Sequence, residues 1–282
     1  MTLIAAVADD SGVTIASDTK ITFVDDALAS ARVFTLALPK IVLLRDDVAV
    51  AISGERPTEL VRRLIDLRNE ELGEIVGNLR TVPDAGFIVV ALGGPSIWTV
   101  GDGRVTSVPA GELALEGDPA AFSDFRRLFT ASLAVVPPGV ALVDAMDHLT
   151  GPLGQHPSVG GFDLAAGTTD GALRFLSRST TIAPRADEPA QVIIDDPSTL
   201  RIRVSLPVGE SHWYQSLVLA GRGNTPGAIG IYVEQAEHGR LFTHDRPYES
   251  IGISAPTARD FVRLALEHGQ ELELVSGPLP TL

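Results

Sequence analysis

Apolar and polar positions alternate along the chain in a way that predicts many short strands and a few helices. Leu3–Ala8 and Val13–Ser17 are apolar, partly β-branched runs separated by Asp9-Asp10-Ser11-Gly12. Asp and Gly adopt turn conformations at little steric cost, so this stretch predicts a hairpin. Residues 23–34 have no clear period and read as a loop or an irregular extension. Strands follow at Lys40–Leu44 and Val48–Ile52, split by the polar turn Arg45-Asp46-Asp47. Four strands before any helix favour antiparallel sheets over a doubly wound parallel sheet.

From Pro57 the period changes. Leu60, Val61, Leu64, Ile65, Leu72, Ile75 and Val76 fall at helical spacing, with arginines and glutamates on the other face. Pro57 suits the first turn, where its missing N–H costs nothing. Phe87–Leu92, Ser96–Val100 and Val105–Val108 return to a strand pattern, joined by Gly93-Gly94-Pro95 and Gly101-Asp102-Gly103. After a short strand at Leu113–Leu115, Asp118 and Pro119 read as the N-cap and first residue of a helix bearing Phe122, Phe125, Leu128 and Phe129 on one side. A further helix is predicted over Gly139–Leu149, and Gly160–Ala166 with Leu173–Leu176 reads as a hairpin. The order fits two stacked sheets with helices on their outer faces.

Composition shifts after Thr181, where Ala183–Pro189 reads as a linker or long surface loop. Strands are predicted near Val192–Ile194, Leu200–Leu206, Gly227–Val233 and Ile251–Ser254. A helix over Thr257–His268, stopped by Gly269, and a last strand at Leu272–Val275 complete the chain. This divides it into residues 1–181 and residues 182–282, the second an α+β extension or accessory domain.

Composition narrows the function classes. The chain of 282 residues carries a formal charge of −14, which argues against nonspecific binding to nucleic acid or an anionic membrane. No apolar run approaches a membrane helix, and Leu3–Val7 lacks the flanks of a signal peptide, so a cytoplasmic protein is the simplest expectation. There is no cysteine, hence no disulfide framework and no zinc–thiolate site. His212, His238, His244 and His268 lack metal-ligand spacing, and neither a metal nor an organic cofactor is implied. His238 and His244 with Glu237 could still meet in a hairpin.

Three early residues stand out chemically. Thr2 is small enough for methionine removal, which would leave a hydroxyl and a free α-amine on one residue. Asp18 closes the second strand, and Lys40 opens the next long apolar one. Lysine occurs only at Lys20 and Lys40 among 22 basic residues. A lysine kept where arginine is otherwise used points to a compact ammonium whose charge state can be tuned.

Together with neighbouring motifs, these residues resemble the proteasome-β/HslV branch of the N-terminal nucleophile hydrolases. The resemblance rests on Thr2-Leu3-Ile4, Ile15-Ala16-Ser17-Asp18, Thr22, Lys40-Ile41-Val42, Ile52-Ser53-Gly54 before the first helix, and Gly160-Gly161 before a late strand. It covers about the first 180 residues. It implies an α+β fold, a four-layer αββα sandwich of two antiparallel sheets, with the C-terminal α+β extension added. It also implies Thr2 as nucleophile, Asp18 and Lys40 as its charge-balanced support, and the Gly54 amide as oxyanion donor. Thr22 and Lys20 would contact a peptide or other amide substrate, Thr22 through backbone pairing. A homo-oligomer is implied as well; whether an unfoldase feeds it is left open.

The sequence departs from that family's pattern in several places, among them a longer Asp18-to-Lys40 loop and a region after Thr181 without counterpart. Where relatives carry Asp-x-x-Ser-Gly-Gly, this chain has His156-Pro157-Ser158-Val159-Gly160-Gly161, and Asp118 stands where an upstream Ser is usual. Two functions therefore remain in view. One is a threonine amidohydrolase, a peptidase by resemblance. The other is a catalytically silent binding or assembly protein on the same fold.

Overall fold

The computed structural model describes residues 2–19, 33–35, 38–93, 96–150, 159–160, 162–182, 191–194, 202–205 and 214–274. The N-terminal hairpin forms as read, from β1 (Leu3–Asp9) and β2 (Gly12–Asp18), with Ile4 opposite Ser17 and Asp9 opposite Gly12. Asp9 Oδ1 accepts from the Ser11 amide at 2.7 Å and closes the turn. A short β3 (Val33–Thr35) lies in the stretch read as loop. β4 (Ile41–Arg45) and β5 (Val48–Gly54) form the second hairpin.

The helical pattern after Pro57 resolves into two helices, α1 (Pro57–Asp66) and α2 (Leu72–Leu79). Tertiary hydrogen bonds pin the break between them. Arg45 Nη1 donates to the Glu70 carbonyl at 2.6 Å, and Arg68 Nη2 donates to the His244 carbonyl at 2.8 Å. β6 (Ala85–Ala91), β7 (Ser96–Gly101), β8 (Arg104–Val108) and β9 (Leu113–Gly117) precede α3 (Pro119–Leu133) and α4 (Pro138–Thr150). Asp118 caps α3 as the sequence indicates, accepting from the Ala120 amide at 3.0 Å.

β10 (Asp163–Thr169), β11 (Ala172–Phe175) and β12 (Arg178–Ile182) follow, then β13 (Gln191–Ile194) and β14 (Ile202–Ser205). The C-terminal residues add β15 (Tyr214–Ala220), β16 (Ile229–Val233), β17 (His238–Phe242), β18 (Ser250–Ser254) and α5 (Ala258–Glu267). Leu272 makes only an isolated bridge to Gly221, not the expected final strand.

These strands assemble into three five-stranded antiparallel sheets, ordered β11-β10-β2-β1-β9, β4-β5-β6-β7-β8 and β12-β15-β16-β17-β18, with a separate three-stranded sheet β14-β13-β3. The expected αββα sandwich of two sheets is therefore not what the chain forms. The reason lies in β12, β15 and β17, which the sequence reading did not assign. With them, β16 becomes the centre of a sheet buried on both faces. One face places Val218, Ile229, Ile231 and Phe242 in the same core cluster as Ile4, Ile15 and Leu164 of the first sheet and Ile41, Ala51 and Ile88 of the second. The other face packs Leu217, Leu219, Tyr232 and Leu241 against Phe261 and Ala265 of α5.

Helices cover the outer faces of the other two sheets. α1 and α2 bury Leu60, Val61, Leu64 and Ile75 against Val42, Val50 and Phe87. α3 and α4 bury Phe125, Leu142 and Met146 against Leu3, Ala5 and Val7. Full burial of each such side chain contributes about 1.5–3 kcal/mol. The first residues of β1 are thus clamped between two cores, which holds the adjoining Thr2 in a defined place.

Candidate functional site

Thr2 is held from both sides of its peptide unit. Its carbonyl oxygen accepts from the Asp118 amide at 2.8 Å, and the next amide, that of Leu3, donates to Asp18 Oδ1 at 3.1 Å. Leu3 lies opposite Gly117 in the β1–β9 ladder. Gly117 has φ +113°, and a Cβ there would overlap the Thr2 carbonyl oxygen. Only glycine permits this approach.

Asp18 and Lys40 form a buried ion pair. Lys40 Nζ donates to Asp18 Oδ1 at 2.8 Å, with side-chain exposures of 2% and 0%. The Gly160 amide donates to Asp18 Oδ2 at 3.3 Å. Burial pushes the Asp18 carboxyl above the usual carboxylate value, against the opposing pull of Lys40 and of the Leu3 and Gly160 amides. The Lys40 carbonyl accepts from the Ile52 amide at 2.9 Å, which ties the lysine to β5. Hydrogen bonds alone therefore link Thr2's neighbour Leu3, Asp18 and Lys40 to the strand that ends at Gly54.

Gly54 has φ +142°, and a Cβ there would come within 2.7 Å of the Asp84 carbonyl oxygen. Arg56 follows at φ 57°, and Pro57 starts α1. Thr2, Lys40, Ser53 and Gly54 all line an open cavity of about 1130 Å³, bordered further by Glu116 and Asp118. Four residues singled out from sequence thus converge. Thr2, Lys40 and Gly54 line one cavity, and Asp18 bonds Lys40 from behind.

The remaining expectations divide. Lys20, Thr22, His156, Ser158 and Gly161 lie outside the described residues. Val159 is buried in the core beneath α3 and α4, a pure packing role. His238 and His244 have separate partners. His238 Nδ1 is 3.1 Å from Ser254 Oγ, while His244 Nδ1 accepts from the Gly227 amide at 3.1 Å. Burial lowers the pKa of both. Among the described residues, no group of three His, Asp or Glu side chains is arranged to hold a metal ion.

Two features escaped the sequence reading. Glu116 borders the cavity and accepts from the Gly117 amide at 3.2 Å. Its signal was phase: Ala114, two residues earlier on β9, faces the central core, so Glu116 puts a charge at a core-facing position. The second is Asp163, fully buried opposite Asp18 in the β2–β10 ladder and ion-paired with Arg178, which also reaches Asp147 of α4. Burial pushes Asp163 up to about 7 despite Arg178, with Asp147 adding to the shift.

In comparisons with known proteins, the chain matches no protein-family model and no curated protein sequence. Among the described residues, no helix is long and apolar enough to cross a membrane.

Proposed function

We propose that the protein is an amidohydrolase of the N-terminal nucleophile type, with Thr2 as nucleophile once Met1 is removed. The observation that carries this reading is the joining of Thr2 and Lys40 on one cavity wall, with Lys40 held by the buried Asp18 at 2.8 Å. A free α-amine has an unperturbed pKa of about 7.7–8.0, so a substantial fraction is neutral near neutral pH. That amine takes the proton from Thr2 Oγ as the oxygen attacks the amide carbonyl. The nearby Lys40 ammonium keeps the amine neutral, and Asp18 balances the lysine's charge. The tetrahedral oxyanion is stabilised by the Gly54 amide, a type of contact worth about 3–4 kcal/mol. Collapse breaks the C–N bond, the departing amine leaves with the transferred proton, and water then hydrolyses the ester at Thr2 Oγ.

The same reading carries a cytoplasmic homo-oligomer acting on peptide or other amide substrates. Light scattering on the purified chain tests the assembly. The activity is tested by hydrolysis of a panel of fluorogenic peptide amides. Turnover by the unmodified chain that disappears in Thr2→Ala is the expected result; turnover surviving in Thr2→Ala refutes it.

One observation favours a second reading, a silent binding or assembly protein. Val159 is buried and apolar where relatives present a hydroxyl to the nucleophile's amine, so one expected support is missing. Turnover lost in Thr2→Ala would exclude this alternative.

A further inference from the structure

The wall of the Thr2 cavity carries a carboxylate that forms no ion pair among the described residues. Glu116 is half-buried on β9, immediately before the Gly117 and Asp118 pair that holds Thr2. Its carboxylate lies over Gly86 of β6, where any side chain would overlap it. The Gly117 amide donates to it at 3.2 Å, and the Ser53 hydroxyl, which donates to the Gly86 carbonyl at 3.3 Å, lies beside it at the gap between the first and second sheets. No lysine or arginine among the described residues pairs with it. Arg56, Arg104 and Asp102 line the same cavity, and the negative charge of Asp102 bears on Glu116. Burial and that neighbour both raise its pKa, while Gly117 and Ser53 oppose the rise.

A part-buried carboxylate beside another acid is poorly solvated, and an incoming cation relieves that cost. The alternatives for a cavity carboxylate are a structural bridge or a general acid–base. The Gly117 amide next to it in sequence already supplies the local bridge, and among the described residues no hydrogen bond leads from Glu116 to Thr2. The cavity, about 1130 Å³, has room for a substrate side chain alongside the amide under attack. We propose that Glu116 is the specificity-determining residue of this cavity, pairing with an ammonium or guanidinium group on the substrate. The proposal rests on the reading of Thr2 as nucleophile for its reaction, but not for its binding.

The test therefore has two arms. In the first, calorimetry compares benzamidine with its neutral counterpart benzamide on the Thr2→Ala chain, where turnover is irrelevant. Benzamidine is expected to bind at least about tenfold more tightly. That preference should vanish in Glu116→Gln and persist in Glu112→Gln, an exposed carboxylate outside the cavity. On the unmodified chain the preference should also fade as pH drops and Glu116 takes a proton, which needs no variant. In the second arm, kcat/KM is compared for lysyl and norleucyl amides, and the ratio is expected to fall about ten- to a hundredfold in Glu116→Gln. Equal binding of the two probes, or a preference that survives Glu116→Gln, overturns the proposal. Cation binding without turnover of any amide supports Glu116 and refutes the Thr2 reading. Turnover at Thr2 with no cationic preference does the reverse.

Discussion

Removing both members of the Asp18–Lys40 pair should cost clearly less than the sum of removing each alone. The two side chains are 2% and 0% exposed and meet at 2.8 Å, so Lys40→Met strands a buried carboxylate. Breaking a buried pair in this way typically costs about 3–5 kcal/mol. Asp18→Asn, which keeps an acceptor for the Leu3 amide, leaves the ammonium without its counter-charge and should cost a similar amount. The double variant removes both charges, so its loss should fall short of the sum by about 2–3 kcal/mol. The pH dependence has a definite sign. Without Lys40, burial raises the folded pKa of Asp18 further above its unfolded value. The stability linked to that carboxyl is then fully present below about pH 4 and is lost as pH rises through the folded pKa. Lys40→Met should therefore be least penalised near pH 4 and most penalised near pH 8. Urea denaturation of the four proteins at both pH values measures the cycle. Single-variant losses below about 1 kcal/mol, with no coupling between them, would show that the pair is not the buried support described here.

Two other outcomes follow from the same geometry. Gly117→Ala places a side chain at φ +113° against the Thr2 carbonyl, and should cost about 2–6 kcal/mol from backbone strain and overpacking together. Denaturant midpoints check this, and a variant as stable as the parent would contradict the close approach. Asp163 has a folded pKa raised from 3.8 to about 7, so its contribution is present below about pH 4 and lost as pH rises towards 7. Asp163→Asn should flatten the stability profile across that window, and an unchanged profile would mean that the carboxyl stays ionised beside Arg178.

The N-terminal elements were the most legible part of the chain. Turn chemistry at Asp9–Gly12 and the Asp118-Pro119 cap are local signals, and each produces the element it indicates. Thr2, Asp18, Lys40 and Gly54 were picked out by a family resemblance and by the scarcity of lysine, and folding brings them together. The architecture was harder to read. β15 begins within a polar stretch, and β17 contains His238, Gly239 and Arg240, so neither presents the clean alternation that marks a strand. Arg240 is buried and donates to Ser250 Oγ at 3.0 Å, a contact that no local pattern announces. Missing those two strands, and β12 at the edge, hid the third sheet and with it the failure of the two-sheet expectation. The break between α1 and α2 was hidden for a similar reason, since His244 holds it from far along the chain. Glu116 and Asp163 show the same limit. Their meaning depends on Gly86, Ser53 and Arg178, which only folding brings near.

The central claim is that Thr2 is a free N-terminal nucleophile supported by Asp18 and Lys40. Intact mass of the purified chain, followed by peptide mapping after incubation with a β-lactone probe, tests it most directly. A chain lacking Met1 with a single adduct on Thr2 is expected, with labelling abolished in Lys40→Met under conditions where that variant is folded. Met1 retained on all molecules, or a chain that starts at Thr2 yet takes up no probe there, would contradict it.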